Sequence, residues 1–325
     1  MINFRFHLAS LIAVFLALAI GIVMGSTVVK EATVKGLRAE IHRVERSSNA
    51  RARQNSALEG QVGDLENYVR ESMPHIVLGS LSGVDVAIVA VRGVDGVVAR
   101  ATADLVQQAG GANAGVLWLE NSWSLKNPDD ARRLGAMLGE PDAPVKKIRD
   151  DALVALGTRL AGTAATARAS GPPVTSGGTG GDMLSELMSA GFATFETVGQ
   201  HAADPFTATA YPTLGARLLV VNATDASSDQ QALVGQLAHA LAGAKAPTVV
   251  ANVYHDERGK PSRGAGVSAI TDDSTLSKEI STVDDLDLTE GQVASVLALA
   301  DLGRHVGHYG YGDGATAVVP GVAQP

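Results

Sequence analysis

From Leu8 to Val29 the chain runs for 22 residues without a charged side chain, interrupted only by the small polar Ser10, Ser26 and Thr27. As a helix rising about 1.5 Å per residue this stretch is about 33 Å long, enough for a bilayer core of about 30 Å. A cleaved secretory signal is the alternative, since Arg5 and His7 give the run a basic start. Such signals usually have an apolar region of about 7–15 residues with a small-x-small cleavage site just after it. Here Ala17-Leu18-Ala19 lies inside the run, so an uncleaved anchor over residues 1–29 is expected. Within it Ala13, Ala17, Gly21 and Gly25 recur every four positions. This small-xxx-small ridge, with GIVMG as a GxxxG match, lets two helices approach closely in lipid. Orientation is not fixed by charge: only Arg5 precedes the run, whereas Lys30, Lys35, Arg38, Arg43 and Arg46 follow it. Counted literally this keeps the following domain in the cytoplasm, but long domains translocate largely regardless of such charges.

Behind the anchor, apolar residues recur at alternating spacings of three and four, the pattern of a heptad seam. With Val34 at a, the a positions are Val34, Ile41, Ser48, Asn55, Val62 and Val69, and the d positions are Leu37, Val44, Arg51, Leu58 and Leu65. Beta-branched residues at a with mostly Leu at d favour a parallel two-stranded coil, and a buried Asn such as Asn55 fixes register. A parallel homodimer through a coiled coil over residues 30–73 is therefore expected. The competing reading, one amphipathic helix packed on its own domain, needs a wider apolar stripe. Ser48, Arg51 and Asn55 make the middle of the seam polar, a place where a partner helix could insert. Pro74 is expected to stop the helix, because its ring and missing N–H do not fit a helix interior.

The remainder reads as an α/β domain over residues 77–310 with a C-terminal tail at 311–325. Short apolar runs at Val84–Val91, Ala114–Glu120, Ala216–Ala223 and Pro247–Val253 alternate with helical patterns, among them Ala131–Leu138, Lys146–Leu160 and Asp229–Ala244. Strand, helix, strand at this spacing means right-handed crossovers and a mainly parallel sheet. With 325 residues and 46% hydrophobic content the chain can bury a sizeable core.

Candidate chemistry is sparse. The absence of cysteine excludes disulfides, thiolate nucleophiles and Cys-based metal sites. A net charge of −8 argues against a broad nucleic-acid footprint. The glycine-rich segment at 171–182 follows helical sequence and is not followed by Lys, so it reads as a flexible connection rather than a phosphate loop. The turn Arg92-Gly93-Val94-Asp95-Gly96 sits after a strand and before a helix, where such folds bind ligands, but lacks G-x-G-x-x-G. Thr289 and Gln292 have capping-box spacing at the start of a late helix. Asp284, Asp285 and Asp287 just before it could hold a hard cation, although such a cluster more often forms a solvated loop. No G-x-S-x-G, H-E-x-x-H or Walker pattern occurs, and no enzymatic activity is expected.

The segments HLASLIAVFLALAIGIVMGS, STVDD with its following helix, and GHYGYGDGA resemble the actinobacterial MctB family, from anchor and coil to the terminal GHYG. That resemblance implies copper export or homeostasis in the envelope, with the large domain outside the inner membrane and an outer-membrane assignment. It also implies an alternative within the family, a coiled-coil regulator of peptidoglycan hydrolases in cell separation, working with a membrane partner. A transmembrane barrel, which needs many alternating segments of about 9–11 residues, does not match this sequence. No cofactor is required by the residues, and copper is the metal that the resemblance brings in. Cu(I) prefers thiolates and thioethers and Cu(II) prefers imidazole with oxygen or nitrogen donors. Met137, Met183 and Met188 form no repeat, and the last two read as core residues of a short helix. The candidate ligands are His305 and His308, near Tyr309 and Asp313, with His255 beside Asp256 a weaker pair.

Overall fold

The computed structural model describes residues 4–162, 182–199, 208, 211, 212, 215–223, 227–253 and 264–321; the side chains of residues 26–33 and 228 are outside that description. By its contacts the chain divides into two compact units, Met1–Asn67 and Tyr68–Pro325.

The first unit is helical. Helix α1 runs from Phe4 to Val77, 74 residues. Its stretch Phe4–Gly25 is long and apolar enough to cross a membrane, and every residue there is exposed. The seam residues from Val34 to Leu65 are exposed as well, Val34 at 44%, Ile41 at 45% and Leu58 at 50%, and only Val69 is half-buried. Pro74 does not stop α1 as expected: it lies inside the helix, which continues to Val77. The proline forfeits one backbone bond, but Met73 packs against the domain core and Val77 is fully buried in it, so burial holds the last turn.

The second unit is a three-layer α/β/α domain built on a seven-stranded sheet of order β3-β2-β1-β4-β5-β6-β7. The strands are β1 (Val86–Val91), β2 (Gly115–Leu119), β3 (Ala193–Thr197), β4 (Arg217–Ala223), β5 (Thr248–Val253), β6 (Ser281–Val283) and β7 (His308–Tyr309). All neighbours pair in parallel except β2 and β3. The antiparallel β3, absent from the sequence reading, adds an edge. β1, β2 and β5 are buried at every residue, as a parallel sheet covered on both faces requires. Gly115, at φ 147°, brings β2 against β3 so closely that a Cβ there would collide with the carbonyl oxygen of Glu196.

One face of the sheet, carrying Val89, Leu117 and Val220, packs on helices α3 (Pro128–Met137), α4 (Val145–Leu160), α5 (Met183–Ser189), α6 (Ser228–Gly243), α7 (Gly264–Thr271) and α8 (Leu276–Glu279). Met183 and Met188 pack partly buried against this core, as expected. The other face, carrying Ile88, Trp118 and Val221, packs on α2 (Gly96–Gln108), α9 (Thr289–Asp301) and the end of α1. Residues 310–319 stay on the domain: Gly310 donates to the Ala317 carbonyl at 3.0 Å, and Ala317 and Val319 pack against the second core.

Two local expectations are corrected. The capping box at Thr289 and Gln292 does not form: α9 has Leu288 as its N-cap without a side-chain cap, because Asp285 at φ 56° turns the chain before it. A complete capping box opens α6 instead, where Ser227 and Gln230 satisfy each other's backbone N–H. Of the three aspartates ahead of α9 only Asp287 is partly solvated; the other two are not in a solvated loop. Asp284 is 1% and Asp285 3% exposed, held under Gly291 and Gly310, where any Cβ would clash with them.

Candidate functional site

In open α/β sheets ligands bind outside the carboxyl ends of the strands, where strand order reverses. Here that point lies between β1 and β4, and the turn from Arg92 to Gly96 leaves β1 there. Arg92 Nε donates to both oxygens of Glu120 at 3.0 Å, and its Nη2 donates to Thr194 Oγ1 at 3.0 Å. Thr194 in turn donates to Glu120 at 2.6 Å. The guanidinium also lies over the Trp118 ring, 4.8 Å from its centroid, an arrangement a lysine would not reproduce. Burial pulls the Glu120 carboxyl up, but the hydrogen bonds from Arg92 and Thr194 and the Arg92 charge outweigh it, and the net shift is downward. Trp118 Nε1 donates to Glu196 at 3.0 Å, and Arg100 of α2 pairs with the same carboxylate at 2.9 Å.

Gln230, in the first turn of α6, fills the crevice itself. Its Nε2 donates to the Arg92 carbonyl and to Asn121 Oδ1, the latter at 3.0 Å. Asp95 spends its carboxylate capping α2 through Val97 N–H at 2.8 Å. What remains is a small cleft of about 190 Å³ lined by residues including Trp123, Lys126 and Asp229, with Lys126 and Asp229 paired at 2.6 Å. The side chains that would greet a nucleotide are thus engaged with one another. The capping signature Ser-x-x-Gln at 227–230 was the sequence signal for Gln230; nothing local marked the pairing of Arg92 with Glu120, 28 positions apart.

The expected metal pair sits near the end of the domain in two different settings. His308, on β7, has both ring nitrogens engaged, Nδ1 with Thr282 Oγ1 at 2.9 Å and Nε2 with the Ser277 carbonyl at 3.1 Å. His305, in the loop before β7, is exposed and makes no side-chain hydrogen bond among the described residues. Tyr309 is buried at 7% exposure, which pushes its hydroxyl up, as does the charge of Asp301. Among the described residues no three His, Asp or Glu side chains are grouped to hold a metal ion. His255 and Asp256, and residues 171–181 of the glycine-rich segment, lie outside the described residues. Asp285 accepts from the Tyr311 amide at 3.3 Å. Burial raises its carboxyl above the ordinary range, and Asp287 adds to the rise.

On the apolar N-terminal stretch of α1 the small residues Ala13, Ala17, Gly21 and Gly25 are exposed, and nothing beyond the helix's own backbone lies within 4 Å of where a Cβ on either glycine would stand.

These parts define a membrane-associated protein: an apolar, bilayer-length helix and a mostly parallel α/β domain whose switch-point crevice is occupied by its own side chains. Over residues 1–320 the sequence matches the family described as "Copper transport outer membrane protein, MctB", and the chain belongs to that family. It is 31% identical over 324 residues to the "Copper transporter MctB" of Mycobacterium tuberculosis (strain ATCC 25618 / H37Rv), covering 98% of this chain and 99% of that relative. The Mycobacterium bovis relative of the same name matches equally. The Mycobacterium leprae one is 27% identical over 329 residues, again covering 98% and 99%. These relatives are named as transporters, not as enzymes.

Proposed function

We propose that this protein acts in copper transport or homeostasis of the cell envelope as a non-enzymatic, single-pass anchored component, with the α/β domain outside the inner membrane. The observation that carries this is the end-to-end match to proteins named copper transporters, which includes the anchor and the terminal GHYG segment. Copper is cargo in this reading. His305 offers an exposed imidazole to it, with His308 joining only by releasing Thr282 and Ser277. The parallel sheet, covered by helices on both faces, is a folded domain and not a pore wall. Movement of copper across a membrane then calls for partners or assembly. The small-residue ridge and the exposed heptad seam support a parallel homodimer as the first step of that assembly.

A deletion strain should accumulate more cellular copper and tolerate less of it, and the full chain should reverse both. An unchanged copper content on deletion would overturn the proposal. The exposed seam also favours a second reading, in which the coil regulates peptidoglycan hydrolases together with an envelope partner. Deletion would then leave copper content unchanged and produce chained, unseparated cells, with Leu58→Asp reproducing that defect.

A further inference from the structure

The rim opposite the switch point, at the amino ends of β5, β6 and β7, carries beside His305 a set of lysine and arginine charges that the copper reading does not use. A cavity of about 420 Å³ opens there, within the size range of about 300–1,000 Å³ typical of small-ligand sites. Its floor includes Ala246 and Leu302, both buried, and its wall carries Lys245, Lys278, Arg304 and His305. One carboxylate faces them, Glu279, and Lys245 takes it at 2.9 Å. Neither Lys278 nor Arg304 has a carboxylate within ion-pair distance among the described residues; Arg304 reaches only the Ala300 carbonyl, at 3.3 Å.

That imbalance runs against the chain as a whole, which carries 34 acidic and 26 basic residues. Its consequence reaches a neighbour: burial lowers the Arg217 guanidinium from its ordinary value and the Arg304 charge pushes it further the same way, against a smaller opposing pull from Asp301. Like charges left this close form a local field that attracts an anion. Helix termini account for part of it, since Lys245, Lys278 and Arg304 each lie at the carboxyl end of a helix, where cations are favoured. They do not account for a concave site in which two cations stand without counter-charge.

We infer that this cavity binds a phosphate-bearing small molecule, held by Lys278 and Arg304 with Lys245 in reserve behind Glu279. An exposed guanidinium and an ammonium on one concave wall suit a phosphate oxyanion, whose several oxygens accept charge-assisted hydrogen bonds at once. The phosphate could arrive as a free phosphoester or as a lipid headgroup, and the same chemistry serves both.

The test is calorimetric titration of the full-length protein in neutral detergent with two probes, inorganic pyrophosphate and glycerophosphoglycerol, the deacylated headgroup of phosphatidylglycerol. Binding of pyrophosphate alone assigns a free phosphoester, and binding of glycerophosphoglycerol alone or more tightly assigns a headgroup; either result supports the site. A Lys278→Gln, Arg304→Gln variant should lose more than about tenfold in affinity, the loss of at least one charge-assisted bond, while Lys146→Gln on α4 leaves it unchanged. Arg304→Lys should recover part of the loss if charge matters and fork geometry refines it. No heat with either probe at millimolar concentration, or binding unchanged in the double variant, would overturn the inference. If those cations serve only the helix ends, the double variant lowers the melting temperature and the wild type binds neither probe.

Discussion

Leu58 is the most direct handle on the proposed homodimer. Its side chain stands 50% exposed on α1, so pairing has about half of it left to bury. Full burial of a leucine stabilises by about 1.5–3 kcal/mol, so this half contributes about 1 kcal/mol per chain. A symmetric pair loses it twice. Leu58→Ala should therefore weaken the dimer by about 2 kcal/mol, a change of about thirtyfold in dissociation constant. The chain has no cysteine, so a single introduced thiol reports without background. Ile41→Cys places that thiol at an a position, where parallel partners face each other, and Arg46→Cys places it on the outer face of the same heptad. In membranes oxidised under mild conditions, Ile41→Cys should crosslink rapidly and Arg46→Cys slowly. Adding Leu58→Ala should slow the Ile41→Cys reaction. Equal crosslinking at the two positions, or no crosslinking at Ile41→Cys together with a monomer on sedimentation in detergent, would refute the reasoning.

Two further predictions concern the domain. Because the folded-state carboxyl of Glu120 is held below its ordinary value, its contribution is present above the unfolded-state value and is lost as pH falls through the folded-state one. Glu120→Gln should thus be less stable than wild type from pH 6 to 8 by an amount that shrinks as pH falls below about 4; urea unfolding across that range checks it, and a gap constant down to pH 3 would show that charge is not the cause. His308→Ala removes two hydrogen bonds, leaving the Ser277 carbonyl without its imidazole, and should cost about 1–3 kcal/mol in thermal unfolding. His305→Ala should stay within about 0.5 kcal/mol, as expected for an exposed side chain.

Much of the domain was legible because continuous apolar runs and helical periodicity are local signals. The strand expected at Val84–Val91 is β1 at Val86–Val91, and the helices expected at Ala131–Leu138 and Lys146–Leu160 are α3 and α4 within three residues at either end. Local patterns also misled where tertiary packing outweighed them. Pro74 is tolerated because Val77 is buried, and Thr289 does not cap α9 because Asp285 sets the turn. The candidate histidines looked equivalent three positions apart, yet a two-residue strand ties one of them to Thr282 and Ser277.

By itself the sequence determined the bilayer-length apolar helix, the heptad pattern and the α/β class, since each follows from the run of side chains along one stretch of chain. Tertiary structure alone decided which distant side chains satisfy one another. Arg92 meets Glu120 and Thr194 because β1, β2 and β3 are neighbours, and Gln230 closes the crevice because β4 lies on the other side of β1. The same assembly of strand ends gathers Lys245, Lys278 and Arg304 around one cavity from three separate helix ends. Charge and hydrogen bonding act through space over a few ångströms, and that proximity is a property of strand order, which no local run of residues encodes.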